Sequence, residues 1–364
     1  MNDVLNAIRL IRSENVGPRT YFGLIKRFGS PAKALAALPE IAEKHKRKII
    51  ICDLAAAEKE IATAERLGIK ILLHSDEAYP EILANTYDAP PVLFYLGDVA
   101  LLGKRSVGVV GTRNASANGC AITRKLSAEL GQAGVVVVSG LARGIDAEAH
   151  KASIGTGTIA VVAGGLEEVY PPENEKLFHK IAESGLILSE SPVGVRPLAR
   201  HFPQRNRIIA GISQGVLVVE AAKKSGSMIT AEFALREGRE VFAIPGSPLD
   251  PRCSGTNHLI KTGAVLVESA EDILNNLHAP KNTPRLFEDE IEFLSDDVIE
   301  VLSEEEVQSL REQVIAKLSS SPVAVDEIIQ QAGVPAALIS EILLELELAG
   351  KISRQYGNKV SLGA

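Results

Sequence analysis

Residues 85–278 are predicted to form an extended Rossmann-like α/β core around a parallel sheet, between a helical N-terminal domain and a C-terminal winged helix. Two observations carry the prediction for the core. Five short apolar runs alternate with segments long enough for helices, the pattern of parallel strands joined by crossover helices. Each run also ends in a turn of glycine, hydroxyl or arginine residues, and open parallel sheets bind ligands at the carboxyl ends of their strands.

The first run, residues 106–110, leads into Gly111-Thr112-Arg113-Asn114, and the second, 135–138, into Ser139-Gly140-Leu141-Ala142-Arg143-Gly144. Residues 158–162 lead to Gly164-Gly165, 216–219 to Lys223-Lys224-Ser225-Gly226-Ser227, and 241–244 to Pro245-Gly246. Backbone N–H groups at helix starts, with arginines beside them, make a site for phosphates. A site spread over many turns fits a polyanion better than one small molecule, which points first to nucleic acid.

Residues 1–84 read as a helical domain, without strand-like alternation before residues 69–73. Within it, Asn15-Val16-Gly17-Pro18-Arg19-Thr20-Tyr21, followed by Leu24, Phe28 and Gly29, has the form of a helix-hairpin-helix or SAM-like turn. Such a turn serves either a small structural domain or a contact to a nucleic-acid backbone. The cluster Lys44-His45-Lys46-Arg47-Lys48 reads as a solvated helix face, with phosphate contact as the alternative. Tyr79-Pro80 and Ala89-Pro90-Pro91 mark a connector into residues 92–96, an extra strand for the sheet.

Residues 279–306 contain Pro280, Pro284 and acidic stretches at 288–292 and 304–306, the composition of a flexible acidic linker. Helices predicted at 307–318, 325–332 and 335–349 follow. A ribbon of 352–355 and 359–362, turned at Tyr356-Gly357-Asn358, completes a winged-helix domain over 307–364. The third helix places Leu338, Ile342, Leu346 and Ala349 at core spacing and is expected to turn Glu341 and Glu345 outward. Outward glutamates repel phosphates, so this module is expected to meet protein, or to be structural, and not to read duplex. Its few ribbon cations are Lys351, Arg354 and Lys359.

The chain of 364 residues carries a net charge of −7, but unevenly. Residues 1–100 are neutral, 101–262 carry +5 and 263–364 carry −12. A basic middle beside an acidic tail is a reason to expect a polyanionic partner for the middle. No apolar run approaches the ~20 residues that span a bilayer. The three cysteines lack paired spacing and the N-terminus lacks signal-peptide features, so a cytoplasmic protein with reduced thiols and no metal is expected.

Two nucleotide motifs are missing. From Gly108 the sequence runs Gly-Val-Val-Gly-Thr-Arg, which breaks the G-x-G-x-x-G spacing, and the second strand ends in Ser139-Gly140 without a ribose-binding acid. A G-x-x-x-x-G-K-[ST] loop is missing too, so no cofactor is expected. Gly111, Thr112 and Arg113 offer close approach and donors to a phosphate. Arg143 serves either a phosphate or an ion pair with Asp146. His150, a helical turn after Asp146, has no nucleophile motif beside it and reads as a core or helix-surface histidine.

Residues 200–211 give the sharpest local signal: Arg200, Phe202, Arg205, Asn206 and Arg207 fall within eight residues, just before the apolar run at 216. Arginines grip phosphates bidentately and a phenylalanine stacks on an unpaired base, a combination suited to single strands. The alternative is a helix start whose arginines pair with nearby carboxylates and whose Phe202 is core.

The ordered set Gly111-Thr112-Arg113, Ser139-Gly140-Leu141-Ala142-Arg143-Gly144-Ile145-Asp146 and Phe202-Pro203-Gln204-Arg205-Asn206-Arg207-Ile208-Ile209-Ala210-Gly211 continues with Glu220-Ala221, Ser225-Gly226-Ser227, Thr230, Pro245-Gly246 and Gly255-Thr256-Asn257. It closely resembles the DNA-processing protein A family (DprA/Smf), densely over residues 80–275. The resemblance implies a cytosolic, non-enzymatic protein that binds and protects single-stranded DNA, helps load a RecA-type recombinase in natural transformation and DNA recombination, and forms a homodimer through the Rossmann-like domain. Carried over by motif position, the DNA-contacting residues are Arg113, Arg143, Phe202, Arg205, Asn206 and Arg207, with Gly111 and Thr112 beside them. Lys223, Ser225, Gly226 and Ser227 are secondary candidates.

The core also resembles nucleoside-monophosphate phosphoribohydrolases of the lysine-decarboxylase-like group, which implies a nucleotide-processing hydrolase as the alternative. That group holds phosphate and its catalytic glutamate in P-G-G-x-G-T-x-x-E. Here residues 225–232 lack the preceding Pro-Gly-Gly, and Glu232 falls at a different spacing.

Overall fold

The computed structural model describes residues 2–44, 50–277, 304–319, 321–332, 336–355 and 359–363. The chain divides into two compact units, one of Met1–Glu58 with Asn282–Ala364 and one of Lys59–Lys281. The basic cluster at 45–48, nearly all of the expected linker and the ribbon turn at 356–358 lie outside the described residues.

The first helices are α1 (Asn2–Ile11), α2 (Pro18–Phe28), α3 (Pro31–Lys44) and α4 (Leu54–Arg66). Pro18 at the first position starts α2, because its fixed φ suits a helix and its missing N–H would be unpaired there anyway. Gly29 ends it in the left-handed region at φ 82°, where its N–H donates to the Ile25 carbonyl. Asn15 also takes a left-handed φ of 60°, turning the chain between α1 and α2.

The central unit continues with β1 (Lys70–Leu73), α5 (Glu81–Ala84), β2 (Val92–Gly97), β3 (Ser106–Val110), α6 (Ala117–Gln132), β4 (Val136–Ser139), α7 (Ile145–Ser153) and β5 (Thr158–Val161). Then come α8 (Glu175–Ser184), β6 (Leu186–Ser189), α9 (His201–Ile212), β7 (Gly215–Val218), α10 (Gly226–Arg236), β8 (Glu240–Ala243), α11 (Ser254–Lys261), β9 (Val265–Leu266) and α12 (Ala270–Leu274). The nine strands form one sheet in the order β1-β2-β6-β5-β4-β3-β7-β8-β9. Strands β3 to β9 pair in parallel. β2 pairs antiparallel with both β1 and β6.

All five expected core runs are strands of this sheet, and residues 92–97 add the sixth. Two strands, β6 and β9, were not read from the sequence. Strand β1 belongs to the sheet although it precedes the expected boundary at residue 84, and the compact unit starts at Lys59. Strands β3 to β7 are buried along their whole length, as a sheet covered by helices on both faces requires. Side chains alternate between the two faces: Val136, Val138, Ile159 and Val161 enter one core, Val107, Val109, Val137 and Leu217 the other. From β3 the chain winds outward through β4, β5 and β6, then crosses back to β7 on the other side. The carboxyl ends of β3 and β7 are therefore the point where the winding reverses, and a crevice opens there in such sheets.

The C-terminal module has helices Glu304–Ala316, Val325–Ala332 and Ala336–Leu348, with short strands Val323–Ala324, Ile352–Gln355 and Lys359–Leu362. Leu310, Val314, Ile328, Ile339, Ile342, Leu346 and Val360 form its core. The expectation for Glu345 is corrected: it is buried and accepts from Arg311 Nε at 3.0 Å and Nη2 at 2.5 Å. Arg311 comes from a neighbouring helix, so the carboxylate is neutralised inside the module. Arg354, expected to be available on the ribbon, pairs with Glu347 at 2.9 Å. The side chains of Glu341 and Leu338 lie outside those described. No helix among the described residues is long and apolar enough to cross a membrane.

Candidate nucleic-acid interface

The turns at the carboxyl ends of β3, β4, β5 and β7 meet at the winding reversal. Thr112 N–H donates to the Glu220 carbonyl at 2.7 Å, tying the β3 turn to the β7 turn. The Thr112 carbonyl accepts from Ile145 N–H at 3.3 Å, tying it to the start of α7. Gly111 permits this closeness, because a Cβ there would come within 2.5 Å of the Ile145 side chain. Gly144 is required twice over: its φ is 75°, and a Cβ would lie 2.4 Å from the Thr112 carbonyl oxygen.

Two of the expected anion sites at these turns are already filled by the protein's own carboxylates. Glu220, buried at the end of β7, accepts from the Ser116 N–H at 3.0 Å and from the Ser116 hydroxyl at the start of α6. Its carboxyl carbon lies 2.6 Å from where a Cβ on Gly119 would be, so this helix start has no room for a phosphate. Asp146 does the same at the β4 turn, accepting from Gly140 N–H at 3.1 Å and Ala142 N–H at 3.4 Å. Burial raises its pKa, while Arg205, the two N–H donors and Arg113 work against that rise. The start of α10 is different. Ser225 makes no side-chain cap, and its buried hydroxyl has no hydrogen-bond partner among the described residues. Gly226 and Lys223 are exposed there, while Ser227 is largely buried.

Of the arginines, Arg113 and Arg143 are exposed and Arg205 and Arg207 are not. Arg143 pairs with Glu173 at 3.5 Å and not with Asp146, and with both side chains about 60% exposed the contact is worth little in water. Arg113 lays its guanidinium over the Phe202 ring, 5.1 Å from the centroid. Arg205 Cζ lies 6.0 Å from the centroid of the same ring, and its Nη1 donates to the carbonyls of Gly140, at 2.5 Å, and Val161. A Cβ on Gly140 would come within 2.6 Å of that guanidinium, so the glycine makes the seat. Burial pushes the Arg205 pKa down to about 10, with Asp146 opposing that and Arg113 adding to it. It remains a cation at neutral pH.

Arg207 is spent inside the fold. Its Nη2 grips both Glu190 oxygens at 2.6 and 2.5 Å, and its Nη1 donates to the Asp88 carbonyl at 2.6 Å. Burial disfavours its charge, but Glu190 and Asp88 outweigh that and raise its pKa above the ordinary value. Arg205 and Arg207 are thus both buried, with hydrogen bonds from their guanidinium groups running to Gly140, Val161, Asn206, Asp88 and Glu190 inside the fold. Asn206 accepts from Arg205 Nε at 3.1 Å and donates to the Gly226 carbonyl at 3.2 Å, linking α9 to the start of α10.

One residue missed from the sequence stands on the open side. Tyr170, 46% exposed, puts its ring centroid 5.7 Å from that of Phe202 at an interplanar angle of 57°. Glu232, the carboxylate a hydrolase would use, is exposed on α10.

His150 belongs to the core. It is fully buried, with Nδ1 2.7 Å from the Thr158 hydroxyl, and burial, with Arg205 adding, lowers its pKa to about 3. Unfolded, a histidine binds its proton near pH 6.5, so only the unfolded state gains protons below that value. Stability should therefore be complete above pH 6.5 and fall as the pH drops toward 3, by up to about 1.4 kcal/mol per pH unit from this group. Urea unfolding at pH 7 and pH 5 should show a smaller difference for His150→Gln than for the natural chain; an equal difference would refute this assignment.

Residues 70–278 match the family described as DNA recombination-mediator protein A, over more than half of the chain. The chain belongs to that family. Residues 1–63 match the DprA-like N-terminal HHH domain and residues 300–358 the DprA winged helix domain, so this is a long form of the family with both extensions. Among curated relatives, the DNA processing protein DprA of Bacillus subtilis is 48% identical over 60% of this chain and 74% of its own length. Protein Smf of Escherichia coli is 39% identical over 84% of this chain and 80% of its own. The solved structure of DNA processing protein A from Streptococcus pneumoniae superposes with a TM-score of 0.58 at 38% identity, covering 72% of this chain and 98% of that one. A second, described for the single-stranded DNA binding mode of the Helicobacter pylori protein, gives 0.53 at 31% identity over 57% and 95%.

Proposed function

We propose that this protein is a non-enzymatic, cytoplasmic single-stranded DNA binder that protects exposed or incoming strands and helps load a RecA-type recombinase, acting as a homodimer in natural transformation and DNA recombination. The observation that carries the reading is the exposed Arg113 guanidinium stacked on Phe202, at the winding reversal of the sheet, in the stretch 101–262 whose net charge is +5. Arg113 and Arg143 meet phosphates from this face. Gly111 and Thr112 shape the approach, and Lys223, Ser225, Gly226 and Ser227 extend it along the start of α10. Asn206 holds the two parts together, and Arg205 and Arg207 keep the platform in place. The recombinase partner and the homodimer rest on the family resemblance of the motif set.

A groove that follows phosphates should bind more weakly as salt rises, with a log–log slope of about −0.7 per phosphate contact on a single strand. Single strands should win over duplex because only their bases are free to stack. A titration series on matched oligonucleotides checks both, and equal affinity for duplex or a flat salt response would sink the reading. Incubation with nucleoside monophosphates should release no base; release would favour the hydrolase.

The C-terminal module is expected to be dispensable for gripping DNA, because residues 263–364 carry −12 and two of its cations are committed to internal pairs. A chain ending at Asn276 should keep the nine-strand sheet and bind single strands within about tenfold of the full chain, a difference of ~1.4 kcal/mol. A loss of a hundredfold in a folded truncation would give the module a direct part in binding.

A further inference from the structure

We infer that Tyr170 is a base-stacking residue of the strand-binding face, taking an unpaired nucleobase on its exposed ring; this rests on the single-strand reading above. The face of Phe202 is the obvious platform, but the Arg113 guanidinium covers it at 5.1 Å, and Arg205 lies 6.0 Å from the same ring. Tyr170 leans against Phe202, which fixes its ring, yet nearly half of the residue remains open to water. A large aromatic side chain held in place but left open offers a π surface at little further cost in ordering.

The surroundings suit a base stacked on the ring. A small cleft beside Tyr170 is lined by Val162, Ala163, Pro197 and Phe202, with Glu168 and Arg205 at the same place, and the Arg205 Nη1 is bonded to the Gly140 and Val161 carbonyls. The Glu168 carboxylate is paired with Arg196 at 2.9 Å, so the two charges there offset each other. The cleft floor is stiff: Gly165 N–H donates to the Val195 carbonyl at 2.8 Å, and a Cβ on Gly164 would come within 2.8 Å of Pro197. The strand's bases therefore turn toward Tyr170 while its phosphates run past Arg113 and Arg143.

The test uses the full chain at one salt concentration, a labelled oligothymidylate, and an abasic phosphodiester strand of the same length. Tyr170→Phe keeps the π face and should bind both strands within about twofold of the natural chain. Tyr170→Ala should lose about tenfold or more on oligothymidylate, the scale of one lost base stack, and stay within about twofold on the abasic strand. Tyr170→Leu keeps bulk without the π face and should behave as Tyr170→Ala does, which covers the case of an unfolded alanine variant. Unchanged affinity for oligothymidylate in folded Ala or Leu variants, or an equal loss on both strands, would overturn the inference and leave the single-strand reading standing. No binding of oligothymidylate by the natural chain would overturn both.

Discussion

Alanine in place of Arg205 or Arg207 is expected to damage the fold before it affects any ligand. Arg207→Ala strands the carboxylates of Glu190 and Asp88, which Arg207 now grips at 2.5 and 3.3 Å. Breaking a buried pair by removing one partner costs about 3–5 kcal/mol, and the lower end applies here because both carboxylates keep some solvent. Arg205→Ala removes the donor to the Gly140 and Val161 carbonyls and takes a nearby cation from buried Asp146. Each buried group left unpaired costs about 1–3 kcal/mol, so a total of about 3 kcal/mol is expected. For a unit of this size that lowers Tm by about 10 °C. Thermal and urea unfolding check it. A folded variant within about 1 kcal/mol of the natural chain that had lost DNA binding would return these arginines to the ligand-facing set.

The burial of Arg205 was partly legible in the sequence. Arg205 stands three, four and seven residues before Ile208, Ile209 and Ile212, so helical spacing puts it on the same face as an apolar stripe. The density of positive charge in residues 200–207 masked that periodicity. The partners, Gly140, Val161, Glu190 and Asp88, come from four separate parts of the chain, and no local pattern joins them to α9. The same holds for Glu345, whose partner Arg311 lies 34 residues away.

The five core strands were legible because a strand covered on both faces must be a continuous apolar run, and those runs also carry the turns that build the crevice. Strand β9 was not, since two residues, one of them exposed, leave no pattern. The antiparallel pairing of β1 and β2 depends on which edge they reach, and tertiary packing settles that. Tyr170 escaped notice because it sits in irregular chain between β5 and α8, where spacing carries no signal and only position beside Phe202 gives it meaning. The carboxylates Glu220 and Asp146 show the limit of reading glycine-rich turns as anion sites. The N–H groups are there, but the protein supplies its own anions to two of them.

Arg113→Ala should separate binding from folding where the buried arginines do not. Arg113 is exposed and rests on the Phe202 ring, and without it buried Asp146 keeps its two N–H donors and Arg205. The unfolding midpoint should move little, by roughly 0.5 kcal/mol, as for surface positions generally. Affinity for single-stranded DNA should fall by about 1.5–3 kcal/mol, the range for a charge-assisted hydrogen bond, or roughly tenfold to more than a hundredfold. The salt dependence should become shallower by about 0.7 of a log unit per log unit of salt, because one phosphate contact has gone. Arg113→Lys restores the charge but not the planar fork or its stack on Phe202. It should therefore recover the salt slope and only part of the affinity. Circular dichroism and the unfolding midpoint come first. Unchanged affinity and slope in a folded Arg113→Ala protein would mean that the arginine serves to pack Phe202, and that the strand is held elsewhere.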